Sequence, residues 1–115
     1  MARVLAYVPD LLFGSNVVGA LRSAGHEVVL VNAPEASAVA AADVLVVDLT
    51  ADASERIALA RTAGADRVRT LAFYSHVEAD VRALAQDAGF DLVVPRSRMA
   101  REGAALVARL ASAIG

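Results

Sequence analysis

The sequence predicts an α/β domain with a doubly wound parallel sheet, and three observations carry that prediction. Strand-like and helix-like segments alternate at regular spacing along all 115 residues. A short phrase built on glycine recurs where a helix must turn back: Ala24-Gly25-His26-Glu27, Ala63-Gly64-Ala65-Asp66 and Ala88-Gly89-Phe90-Asp91. The apolar run Val44-Leu45-Val46-Val47 ends in one carboxylate, Asp48, as a central strand does when it delivers a charged group to the edge of its sheet.

Each element follows from local signals. Arg3 to Val8 is an apolar first strand; Asp10 caps a helix from about Leu11 to Ala24, and Gly25 supplies its left-handed stop. Glu27 to Asn32 forms the second strand. Pro34 precedes a short alanine-rich helix ending near Ala42, and Asp43 to Asp48 is the third strand. Asp52-Ala53-Ser54-Glu55 has capping-box form for a helix ending near Ala63. Thr70 to Tyr74 is the fourth strand, and Ser75-His76-Val77-Glu78 is a second capping box opening a helix to Ala88. Leu92 to Val94 is the fifth strand, stopped by Pro95. The last helix spans about Arg98 to Ile114, with Leu106, Leu110 and Ile114 spaced to face the sheet. Right-handed crossovers then give one folding unit over residues 1–115, three layers deep, with strand order 2-1-3-4-5.

Composition narrows the function. At 57% apolar residues the chain can bury a core, and a net charge of −2 gives no general attraction to nucleic acid or an anionic membrane. No apolar run approaches the roughly 20 residues that cross a bilayer, and the start of the chain has no signal-peptide pattern, so a cytoplasmic protein is expected. Without cysteine there is no disulfide, thiolate nucleophile or Cys-ligated metal. All 11 basic residues are arginine, which excludes Schiff-base chemistry and a P-loop lysine. The first strand leads into Pro9-Asp10-Leu11-Leu12-Phe13-Gly14, without the glycine pattern of a dinucleotide site. Ser75 or Ser97 with His76 lacks the elbow and oxyanion loop of a hydrolase. His26 falls at the opposite sheet edge from His76, and with no cysteine a histidine metal site is not expected. No cofactor, no resident metal and no catalytic residue are expected.

Strand spacing, length and Asp48 together resemble the receiver domain of two-component response regulators, over nearly the whole chain. The resemblance implies a flavodoxin-like fold, makes Asp48 the equivalent of the phosphoacceptor and matches Ser75 to the serine or threonine that ends the fourth strand. It also implies an acidic pair at the end of the first strand to bind magnesium, where this chain has Val8 and Pro9, and a lysine ending the fifth strand, which falls at about Pro95 beside Arg96. The phrases Pro9 to Ser15, Ser75 to Glu78 and Pro95-Arg96-Ser97 are similar to those of a group of short receiver-like proteins without an assigned activity.

The predicted topology gathers Asp48, Asp10, Ser75, His76, Arg96 and Ser97 at the C-terminal ends of the strands as one candidate site. The structural alternative is capping for Asp10, Ser75 and Ser97, and for Asp48 bracing of the loop before Thr50. Arg98, Arg101 and Arg109 on the last helix mark the surface that in receiver domains meets protein partners. The expectation is a stand-alone, degenerate receiver-like signalling or protein-interaction module, not phosphorylated by the magnesium route and not an enzyme, with a protein partner or self-association. The alternative is a flavodoxin-like protein that binds a small molecule or anion at the C-terminal strand edge.

Overall fold

A computed structural model of the chain describes residues 2–75 and 77–113. Five strands form one parallel sheet: β1 (Arg3–Tyr7), β2 (Glu27–Val31), β3 (Val44–Asp48), β4 (Arg69–Tyr74) and β5 (Leu92–Pro95). Between and after them lie α1 (Leu11–Ser23), α2 (Ala36–Ala41), α3 (Ala53–Thr62), α4 (Ala79–Asp87) and α5 (Arg96–Ser112), with a single 3₁₀ turn at Ala65–Arg67 before β4. The strand order is β2-β1-β3-β4-β5, as the sequence predicts.

Alternation along the strands sorts the core into two layers. Val4, Ala6 and Val8 of the first strand segment, with Val44, Val46, Leu71, Phe73 and Val94, pack under α1 and α5. Leu5, Tyr7, Leu45, Val47, Ala72 and Tyr74 pack on the other face with Val39 of α2, Ile57 of α3 and Val81 of α4. Every residue of β3 is buried, so this strand is covered on both faces and reads as a continuous apolar run. Leu106 and Leu110 of α5 are buried as expected; Ile114 lies outside the described residues.

The edge of the sheet where strands begin is closed by short polar staples. Gly25, Gly64 and Gly89 take φ of 92°, 98° and 90°, the left-handed conformation that the recurring phrase requires. After Gly25 and Gly89 the chain makes full Schellman turns: the His26 amide donates to Leu21 O and the Phe90 amide to Ala85 O. His26 and Phe90 are both buried. Asp43 accepts from the Arg3 amide at 2.9 Å and Asp91 from the Thr70 amide at 2.8 Å, so a carboxylate preceding β3 or β5 satisfies the start of a neighbouring strand.

Three starts differ from the sequence expectation. Asp52 precedes α3 with φ 49° and makes no cap hydrogen bond through its side chain, so its capping box does not form. After β4, the Glu78 amide donates to Ser75 O in a tight turn, and α4 begins at Ala79 without a side-chain cap. The last helix begins at Arg96, directly after Pro95, which places Ser97 inside its first turn and not at its cap.

His26 ties the start of the chain to α5. Its Nδ1 accepts from the Ala2 amide at 3.1 Å, which places the ring hydrogen on Nε2, 3.4 Å from the Ala104 carbonyl. Replacing His26 with alanine strands the buried Ala2 amide, and is expected to lower unfolding free energy by about 1–3 kcal/mol. Urea denaturation of His26→Ala against wild type checks this; an unchanged midpoint would show that the bridge contributes nothing.

Candidate functional site

The sequence-predicted site residues occupy the edge where strands end and helices begin. Asp10, exposed, is the N-cap of α1; its Oδ1 accepts from the Leu12 and Phe13 amides, both at 3.0 Å. Ser75 follows β4 and is half-buried, with its carbonyl engaged in the turn to Glu78. Arg96 and Ser97 are exposed at the start of α5. His76 lies outside the described residues.

Asp48 is only 1% exposed; the sequence anticipates its contact with the loop at Thr50 but not its ion pair. One oxygen, Oδ1, accepts from the Thr50 amide at 2.8 Å and from the Thr50 hydroxyl, an Asx turn that closes the loop after β3. The other, Oδ2, lies 3.2 Å from Nη1 of Arg56. The same guanidinium nitrogen donates to the Asp48 carbonyl at 3.1 Å. Arg56 stands in the second turn of α3 and its side chain is only 13% exposed, so the pair is withdrawn from solvent. A carboxylate in this position is costly unless paired and hydrogen-bonded, and here it is both.

Arg96 does not reach Asp48. Its guanidinium carbon sits 5.1 Å from the centre of the Phe13 ring, and Phe13 in turn meets Phe73 of β4 with ring centres 5.1 Å apart. The stack Arg96, Phe13, Phe73 pins the start of α5 to the start of α1 across the end of β4. Ser75 is likewise absent from the partners of Asp48 among the described residues.

Neither Arg56 nor Tyr7 is among the residues that the sequence predicts here; Tyr7 lies within electrostatic reach of both Arg56 and Asp48. Burial pushes its phenol up from the ordinary value of 10.0; the Arg56 guanidinium opposes this, and the carboxylates of Glu55, Asp48 and Asp52 add to it. A signal for Arg56 was available: a cation near the start of a helix opposes the helix dipole and needs a compensating anion nearby.

Magnesium does not fit the donor set at Asp48. Val8, one position beyond the Tyr7–Val47 register pair, is apolar and buried beside the Asp48 level, and Pro9 offers no side-chain oxygen. The one carboxylate has its oxygens held by Thr50 and Arg56, whereas a hard dication needs free oxygen ligands in octahedral array. On the far strand, register sets Asp48 level with Phe73 and Phe73 level with Val94, so no cation stands at that height on β5. Among the described residues, no three histidine or acidic side chains group to hold a metal.

Arg98 and Arg101 both approach Glu102, at 3.4 and 3.9 Å, and Arg109 lies exposed near the end of α5. Glu102 is therefore the anion that offsets Arg98 and Arg101. No helix among the described residues is long and apolar enough to cross a membrane.

No family model and no curated protein sequence matches the chain. Solved structures do. The receiver domain of the Francisella response regulator 1452 superposes with a TM-score of 0.79 at 12% identity, covering 100% of both chains. A CheY-like response regulator receiver domain protein from Methanospirillum hungatei gives 0.76 at 15% identity, over 97% of this chain and 94% of that one. A response regulator protein from Burkholderia multivorans gives 0.67 at 22% identity, over 96% and 95%. The chain is therefore a receiver-like domain in fold, from its strand order to its full length.

Proposed function

We propose that this chain is a receiver-like signalling module that works by protein association, with an Asp48 that is not phosphorylated by the magnesium route. The observation that carries this reading is the closed state of the carboxylate: 1% exposed, Oδ1 taken by Thr50, Oδ2 by Arg56. Phosphoryl transfer needs a free carboxylate oxygen in line with the donor and positive charge on the transferred group. Here the nearest positive charge neutralises the acceptor instead. Arg56 must leave before Asp48 can attack, and its departure strands a buried anion, so acceptor chemistry and folding stability oppose each other. The stacking of Arg96 on Phe13 favours this reading over the anion-binding one, because it holds the Arg96 guanidinium against a ring and away from Asp48.

Two measurements test it. Incubated with acetyl phosphate and magnesium, the protein should gain no phosphoryl mass increment; an increment present in wild type and lost in Asp48→Asn would sink the proposal. Arg56→Ala should cost about 3–5 kcal/mol of stability by leaving the buried carboxylate unpaired. In a cycle of Asp48→Asn, Arg56→Gln and the double variant, a coupling energy of at least about 1 kcal/mol is expected by denaturation. Additive effects would mean that the pair contributes nothing beyond its separate members.

A further inference from the structure

Leu11, Leu12 and Val77 are the most exposed large apolar side chains of the described residues, at 78%, 78% and 75%. All three lie at the edge where strands end: two open α1 and one sits in the turn between β4 and α4. The Phe13–Phe73 contact holds these two segments to one rim, since Phe13 follows Leu12 and Phe73 precedes the Val77 turn. The other exposed large apolar residues, Val29, Leu59 and Leu84, lie within β2, α3 and α4. Isolated exposed leucines need no explanation, but here three large apolar side chains share one edge of the sheet.

A concavity opens at Leu11. Between the loops after β1 and β2 lies a cleft of about 660 Å³, with Val8, Pro9, Leu30 and Val31 among its lining residues and Leu11 and Glu35 among the others. An apolar side chain of a partner fits such a lining.

Charge says what kind of partner. Asp10, Glu35, Asp52, Glu55, Glu78 and Asp80 are all exposed on the same edge, and none takes part in an ion pair among the described residues. The helix dipole accounts for acids at helix starts, yet only Asp10 of these makes a cap hydrogen bond. Of the cations near them, Arg56 is committed to Asp48, Arg96 lies over Phe13 and Arg98 pairs with Glu102, while Arg82 is exposed one turn after Glu78. The chain's small net charge thus conceals an excess of exposed acid along this edge.

We infer that this edge docks a basic, amphipathic segment of a partner protein, whose apolar face covers Leu11, Leu12 and Val77 and whose cations meet the surrounding carboxylates. Complementary potentials steer such a partner, and the buried apolar contacts hold it. This rests on the reading of the chain as a protein-association module and names the partner's chemistry. It is independent of whether Asp48 accepts phosphate.

A helical peptide of leucine and lysine, and its leucine–glutamate counterpart, serve as probes, with binding followed by fluorescence anisotropy and amide shift mapping. The leucine–lysine peptide should bind, more weakly at high salt, with shifts confined to residues 9–12, 33–35 and 77–80. Leu11→Ser/Leu12→Ser and Glu35→Lys/Glu78→Lys should each weaken it by roughly tenfold or more, while Leu59→Ser leaves it unchanged. No binding, equal binding of the acidic peptide, or shifts elsewhere would overturn the inference. So would a concentration-dependent dimer abolished by Leu11→Ser/Leu12→Ser, which would assign the patch to a second copy of the chain. Failure here with no phosphoryl increment leaves the closed-carboxylate reading standing; an increment together with peptide binding leaves the docking edge standing.

Discussion

The Asp48 carboxylate sits where three constraints meet. It ends the strand whose every residue is buried, it closes the loop that follows through Thr50, and it fixes α3 through Arg56. None of these contacts is replaceable by water, because the residue is nearly without exposure. A charge taken from solvent loses its hydration and must recover that energy from fixed partners, so the loop, the helix and the strand end are mutually determined. The Asp52 backbone at φ 49° belongs to the same set of constraints, since it precedes the helix turn from which Arg56 reaches back to the strand it has just left.

Much of the scaffold was legible because its signals are local. Glycine at φ near 90° has few alternatives at the end of a helix, and Asp10 both precedes an apolar helix and caps it. Period-two alternation sorts the strand residues into layers without knowledge of any loop. The site was less legible, for a physical reason. Arg56 is eight residues beyond Asp48, and whether they meet depends on the conformation of the loop between them, in which a non-glycine residue takes a left-handed conformation. No periodicity reports that.

The capping boxes show the same limit at shorter range. Ser75-His76-Val77-Glu78 carries the residue types of a box, but the Glu78 amide is satisfied by the Ser75 carbonyl in a turn, so no side-chain cap is needed there. Backbone and side-chain acceptors compete for the same donor, and residue types alone do not say which wins. Arg96 is a parallel case. Charge alone directs it toward Asp48, while an aromatic face close to its own helix start takes it first.

The two ends of the sheet are built by different rules. At the end where strands begin, Schellman turns at Gly25 and Gly89, the carboxylates of Asp43 and Asp91, and the His26 bridge close the backbone with specific bonds. At the other end Asp10 and Asp48 hold the loops after β1 and β3, but the loop from Asn32 to Glu35 is held by no side-chain hydrogen bond among those described, and Glu35 precedes its helix uncapped. A scaffold divided in this way separates the segments that specify the fold from those free to vary. Foreign sequence grafted between Asn32 and Glu35 would leave every staple intact, which makes this loop the natural insertion point for tailoring recognition on an unchanged frame.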